Sequence, residues 1–311
     1  MYYDTSERRM MFIHALTSLH PGAGTALGVV DLPVQRERHT RWPSIQGSAL
    51  KGILRDCMRN SIAGKNGLKR KNADEHEDVS TAFGPDSASD DKHAGAVSLT
   101  DARILAFPVR SLRGVFAWVT CGAVLQRLDR DVKLIGRMKG IGQVPAVGRD
   151  KALCADESPL IVREKELALE EFKFSRNGSP PADALEWISS NVTEDKPTRE
   201  RIKKHLVILS DDDFDHFVRN ATEVTARIAL DYETKSAKGG ALFYQEFLPP
   251  ETMMYSVMIV EASRNAKVSK SAGEIAGMVT RATPDVLQIG GDETTGKGIC
   301  AIRFTRGAEA E

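Results

Sequence analysis

Apolar residues at Leu50, Ile53, Leu54, Cys57 and Met58 follow the i, i+3, i+4, i+7, i+8 spacing of a helix with one buried face. Ser48 stands where it would cap that helix, leaving the first-turn N–H groups facing whatever lies beyond Gly47. Lys51, Arg55 and Arg59 recur on a different face as a basic stripe. Upstream, RMMFIHALTSL (Arg9–Leu19) predicts an opening strand that runs into a glycine loop over Pro21–Gly28. After the helix the chain turns polar over about 61–95, an insertion or mobile loop pinned only by Ala82–Phe83–Gly84. Ala96–Arg110 predicts paired strands ending at Pro108, and Val115–Leu128, apolar on most sides, predicts a buried helix. A second charged block, about 150–205, has helical patches at Glu164–Phe172 and Ala182–Ser190. It lacks the apolar density for a core of its own and reads as an inserted subdomain.

From His205 the chain is β-rich. Arg227–Leu230, the turn-rich Thr234–Gly240 and Ala241–Phe247 predict a long hairpin whose tip, KSAKGG, carries Lys235 and Lys238. Met253–Val260 predicts a buried strand, and Ser271 with Glu274 spells a capping box for the helix Glu274–Arg281. Val286–Ile289, the loop GGDETTGKG and a closing strand Ile299–Phe304 follow. This order fits a single α+β domain with a ferredoxin-like core and two polar insertions.

Charge sharpens the picture. Across 311 residues, 43 Lys and Arg balance 43 Asp and Glu, so any polyanion site must come from local sorting of charge. The four cysteines, Cys57, Cys121, Cys154 and Cys300, form no CxxC pair, which argues against zinc or a disulfide framework. Met1–Met11 is polar and charged, unlike a signal peptide, and runs such as Val115–Val119 fall far short of the ~20 apolar residues of a membrane span. The expectation is a cytoplasmic protein without a membrane partner.

Both glycine loops resemble nucleotide-binding motifs and fail as such. The first has Leu27 where a dinucleotide fingerprint needs glycine, and it leads into Val29–Val30 rather than a helix. The second, Gly291-x4-Gly296-Lys297, is followed by Gly298 instead of Ser or Thr, and then by a strand-like ICAIRF. What remains is a loop able to approach a backbone closely at Gly291, with Lys297 to meet a phosphate. The capped helix start at Gly47 and Ser48, with Lys51 and Arg55 behind it, has the character of a phosphate-binding surface. Taken alone, Asp31 reads as a turn-capping residue before Leu32–Pro33, and His20 reads as structural or RNA-contacting at least as readily as a general acid.

Several stretches together resemble the RAMP superfamily, the repeat-associated proteins of CRISPR systems: HPGAGTALGVVDLPVQRERHT, IQGSALKGILR, Phe83–Gly84, DARILAFPVRSLRGVFAWVTC, GALFYQEFLPPET and GGDETTGKG. More narrowly they resemble its Cas seven-type backbone subunits, the fourth-subunit family of type III-B (Cmr) effector complexes. The resemblance spans Met10 to Phe304 and is weakest over 61–80 and 150–205. It implies an RRM-like core, repeated as a helical filament of copies along a guide RNA (crRNA) beside other Cmr subunits. It also implies a β-hairpin thumb, about 227–248, that inserts between nucleotides. Cleavage of complementary target RNA at regular intervals is implied for the acidic loop residue, here Asp31, with Mg2+ or Mn2+ held there. His20 and Glu246 match positions near that site.

RNA carries its own nucleophile, the 2′-OH, so cutting needs in-line geometry, a proton acceptor and charge stabilisation. A subunit serving any guide sequence should grip phosphates and sugars. Lys51, Arg55, Arg36, Arg38, Lys235, Lys238 and Lys297 suit that role, with Phe243 placed to stack and Gly47, Ser48 and Gly291 to approach the backbone. The alternative is a purely structural crRNA-binding scaffold without nuclease activity.

Overall fold

Strands buried on both faces set the architecture. The structure, a computed structural model, describes residues 6–26, 28–86, 92–136, 140–238 and 240–305. Strand β1 (Glu7–Ala15) leads through the first glycine loop to β2 (Ser44–Ile45) and the helix α1 (Gly47–Asn66). Helices α2 (Arg70–Asp74) and α3 (Glu77–Phe83) follow, then β3 (Val97–Leu99), β4 (Ala102–Arg110), β5 (Phe116–Cys121) and α4 (Gly122–Ile135). Next come β6 (Lys151–Ala152), β7 (Ile161–Arg163), β8 (Glu166–Leu169), β9 (Phe172–Arg176), α5 (Ala182–Val192) and α6 (Lys196–His205). The rest is β10 (Leu206–Leu209), α7 (Asp211–Asn220), β11 (Glu223–Arg227), β12 (Phe243–Phe247), β13 (Met253–Val260), α8 (Ala272–Ala282), β14 (Val286–Gln288) and β15 (Ile299–Thr305).

The large sheet runs β10-β5-β4-β13-β1-β15-β14, with β2 on β4 and β3 on β13. Within it β1–α1–β4–β13–α8–β15 has the spatial order β15-β1-β13-β4, all antiparallel, which is the expected ferredoxin-like arrangement. Met10, Met11, Phe12 and Ile13 are all fully buried, which explains the unbroken apolar run where an exposed sheet face would alternate. Each such side chain contributes about 1.5–3 kcal/mol. The block at 150–205 shares this core: Leu153, Phe174 and Trp187 belong to the same cluster, and the Trp187 ring meets Phe12 at 6.0 Å. No helix among the described residues is long and apolar enough to cross a membrane.

Several elements differ from their sequence reading, each for a physical reason. Val115–Leu128 is the strand β5 followed by the start of α4, because an all-round apolar segment suits a central strand as well as a buried helix. Pro108 lies inside β4 opposite Trp118. The stretch expected to be a mobile loop at 61–95 is helical up to Phe83, although residues 87–91 lie outside the described residues. Its polar composition hid the helices because ion pairs dock them: Arg55 and Arg59 to Asp74, Arg70 to Asp56, and Lys270 to Glu77 and Asp78. Within Glu164–Phe172 the helical patch is instead β8, part of the sheet β6-β9-β8-β7. Helix α7 went unread; Ser210 caps it, and Phe214, Phe217 and Val218 form its buried face. The hairpin begins earlier than expected, pairing Glu223–Arg227 with Phe243–Phe247.

The start of α1 also differs. Gln46 is the N-cap residue and makes no side-chain cap; Ser48 lies one turn-position inside the helix and is exposed. Asp101 serves instead, its Oδ1 accepting the Gly47 N–H at 2.8 Å. A side chain at Gly47 would run into the Leu99 carbonyl, so this glycine is explained by packing against β3. Asp101→Ala is therefore expected to cost about 0.5–2 kcal/mol in chemical denaturation, and Ser48→Ala within about 0.5 kcal/mol. The reverse ranking would restore Ser48 as the cap.

Candidate nucleic-acid interface

Asp31, His20 and Glu246 converge on one short strand, β12. β12 pairs with β11 along one edge, and the backbone groups of Tyr244 and Glu246 turn to the other edge, where the first glycine loop lies. Tyr244 accepts hydrogen bonds from the N–H groups of Asp31 (3.1 Å) and Leu32 (3.0 Å), and the Glu246 N–H donates to the Leu32 carbonyl (3.0 Å). The acidic loop is thus laid against β12 through an isolated parallel bridge between Leu32 and Gln245.

This geometry places Asp31 closely. Its Oδ2 accepts the Tyr244 N–H at 2.7 Å, and its other oxygen has no partner among the described residues. The carboxylate is half-buried, held by one oxygen and available at the other. The neighbouring Val29 is 91% exposed, so the loop crest faces outward. Leu27 lies outside the described residues.

His20 is buried, with its ring against Phe247 at 5.5 Å. Its Nδ1 sits 2.7 Å from the Glu246 carbonyl oxygen, which can only accept, so Nδ1 carries the proton. The other ring nitrogen, Nε2, lies close against Gly22. The second glycine loop closes over this residue: the Gly291 N–H donates to the His20 carbonyl at 3.0 Å. Gly290, at φ 84°, permits the approach because a Cβ there would collide with that carbonyl. Lys297 reaches back to Ser18 Oγ at 3.2 Å and lies 5.1 Å from the centre of the Phe247 ring.

Glu246 is enclosed by the fold. It is 6% exposed, and its oxygens accept from Arg36 Nη2 (2.6 Å), Thr222 Oγ1 (2.8 Å) and the Val34 N–H (2.9 Å). Arg36 is equally committed, since its Nη1 also donates to the carbonyls of Arg41 and Val218 at 2.9 Å each. Both were candidates for direct contact with RNA or chemistry, and both are hydrogen-bonded within the fold. Arg38, by contrast, is exposed and has no partner among the described residues.

Three residues the sequence reading passed over hold the thumb root to the second glycine loop. Asp292, in a left-handed conformation at φ 64°, accepts from Gln245 Nε2 (2.6 Å) and pairs with Arg227 (3.3 Å). Only the Gly-Gly-Asp spelling of a tight turn hinted at it.

The arm beyond the root presents apolar surface. Ile228, Leu230, Tyr232 (85%) and Leu242 are exposed, and Phe243 is half-buried. Lys238 is exposed, and Lys235 sits over the Tyr232 ring at 4.4 Å. Gly239 lies outside the described residues.

The α1 residues form a separate group. Arg55 is engaged by Asp74 (3.0 Å) and the Gly84 carbonyl (3.1 Å), so the expected basic stripe is largely neutralised. Lys51 has no ion pair among the described residues. Burial lowers its pKa, and Arg55 and Arg264 add to the effect; an approaching phosphate would relieve the repulsion.

If Glu246 is a strut, Glu246→Ala leaves the half-buried Arg36 without its carboxylate and is expected to cost roughly 1–3 kcal/mol in unfolding free energy, with faster proteolysis at the thumb root. A normal denaturation midpoint in that variant would contradict this role.

A model of the RAMP superfamily matches residues 12–301. A Pyrococcus furiosus protein named CRISPR system Cmr endoribonuclease Cmr4 is 36% identical over 292 residues, covering 93% of each chain. A Saccharolobus solfataricus protein, CRISPR system CMR subunit Cmr4, is 23% identical over 313 residues, covering 94% of this chain and 95% of that one. The crystal structure of oligomeric Cmr4 from Pyrococcus furiosus superposes with a TM-score of 0.71 at 29% identity, covering 96% of this chain and 98% of that one. Matching in sequence and fold over nearly its whole length, the chain belongs to the RAMP superfamily, and within it to the Cmr4 group of Cas7-type CRISPR subunits.

Proposed function

We propose that this chain is a repeated backbone subunit that binds a guide RNA and cleaves the complementary target RNA at regular intervals through Asp31. One observation carries the reading: a carboxylate fixed by one oxygen and, among the described residues, unpartnered at the other, at the root of an exposed apolar hairpin. The 36% identical relative named an endoribonuclease supports the activity, and the oligomeric crystal form of a relative supports self-assembly. Other Cmr subunits and a cytoplasmic setting belong to the same proposal.

The roles divide as follows. The target 2′-OH attacks its own phosphate as the P–O5′ bond breaks, giving a 2′,3′-cyclic phosphate; the second oxygen of Asp31 accepts the 2′-OH proton, and water protonates the departing 5′-oxygen. Tyr244 holds that carboxylate in position through its amide. Glu246 and Arg36 lock the loop rather than touching the reacting atoms. Exposed Ile228, Leu230, Tyr232 and Leu242 wedge between nucleotides, breaking the stack so that one linkage can reach in-line geometry. Lys51 and Arg38 meet phosphates.

Among the described residues no group of three His, Cys, Asp or Glu forms a metal site. Mg2+ is commonly held by only one or two carboxylates together with substrate phosphates, and Asp31 alone fits that mode. A bound Mg2+ or Mn2+ would supply charge neutralisation at the phosphate. The paucity of protein ligands is also what a purely structural scaffold would show, so the two readings need a direct test.

In the complex assembled with guide RNA, Asp31→Asn is expected to leave assembly and target binding intact and to lower regularly spaced cutting by about 10²–10⁴-fold. Chelation should abolish cutting by the parent complex, with Mg2+ or Mn2+ restoring it. Unchanged cutting by the intact variant complex would leave the scaffold reading.

A further inference from the structure

Beside the acidic loop lies a cleft of about 520 Å³ that the cleavage reading does not use. Arg36, Arg41 and Arg219 line it, facing an apolar wall of Val30, Pro33 and Val224. Glu246 also borders it, but Arg36 already neutralises that carboxylate. Val30 and Pro33 flank Asp31–Leu32, so the cleft and the free Asp31 oxygen are built from the same loop.

Its floor is rigid. The Glu37 N–H donates to the Trp42 carbonyl and the Arg41 N–H to the Glu37 carbonyl, both at 2.9 Å, closing a tight turn. Arg219 Nη2 braces this turn through the Thr40 carbonyl at 3.0 Å, and Trp42 packs edge-on against Phe214 at 5.2 Å. The nearby acids are consumed within the protein. Glu37 is taken by Arg127 and Thr40, both at 2.6 Å, and Asp215 by Arg219 and the Trp42 indole, both at 2.9 Å.

Arg41 is the residue left over. It is exposed, its side chain has no partner among the described residues, and its backbone is left-handed at φ 62°. That conformation favours glycine and is uncommon for other residues. The turn closed between Glu37 and Trp42 sets this backbone, and it leaves the Arg41 guanidinium without a partner among the described residues.

We propose that this cleft binds a backbone phosphate of the target strand next to the linkage that Asp31 attacks, with Arg41 as its principal cation. This rests on the cleavage reading for Asp31. A guanidinium suits a phosphate diester through paired N–H donors, and the apolar wall suits the adjoining sugar or base. Phosphate contact of this kind carries no sequence preference, as a subunit serving any guide requires.

Arg41→Gly tests the idea, because it removes the guanidinium while fitting the left-handed backbone. The complex is assembled with guide RNA in the Asp31→Asn background, so that target binding is read without cutting. Affinity for a complementary target RNA is then followed over a salt series. The slope of log affinity against log salt should flatten by about 0.7–0.9 for each engaged subunit, with guide retention unchanged and Arg41→Lys restoring the slope. An unchanged target slope, or a loss confined to guide retention, would overturn the proposal. Cut product from the Asp31→Asn complex would instead count against the cleavage reading alone.

Discussion

The carboxylate of Glu246 is the point on which the site depends. It joins the thumb strand to Arg36, to the Val34 amide in the acidic loop and to Thr222 after α7, so three separate chain segments share one buried acceptor. Taking a carboxylate out of water is costly unless its lone pairs are filled. Here three donors fill them, and removing any one leaves charge or a polar group stranded. The arrangement therefore tolerates little movement between the loop and the thumb, which is the property a positioned catalytic carboxylate needs.

This coupling separates two kinds of residue that look alike in sequence. Glu246 and Arg36 are charged, close to the proposed chemistry and fully satisfied within the fold. Asp31, Arg38 and Arg41 are charged, in the same neighbourhood, and each leaves hydrogen-bonding capacity toward solvent. On the opposite face of the thumb root, Asp292 performs a second fastening through Gln245 and Arg227. The hairpin arm is thus clamped from one edge and one face, while its apolar end stays exposed.

Much of the frame was legible in the chain. The 3.6-residue period of α1, the capping box at Ser271 and Glu274, and the apolar runs of β1 and β13 all correspond to the structure. Readings failed where one pattern serves two structures or where polar residues do the packing. FAWVTC is apolar on all sides whether helical or extended, and α2 and α3 are docked by ion pairs that carry no hydrophobic period. Helix α7 opens with three aspartates, which suit a helix N-terminus but masked its phenylalanine face. At the site, family resemblance pointed to Asp31, His20 and Glu246. Their division of labour depends on long-range partners such as Tyr244, Thr222 and Arg36, which no local pattern exposes.

The account turns on Asp31 being held by the thumb strand rather than swinging on a free loop. Residue-resolved hydrogen exchange on the full chain reads this at the Tyr244 amide, whose partner is the Asp31 carboxylate. Tyr244 should exchange far more slowly than amides at the hairpin tip, and Asp31→Ala should speed it while the Glu246 amide, bonded to the Leu32 carbonyl, stays protected. A Tyr244 amide that exchanges as freely as the tip in the parent protein would contradict the account.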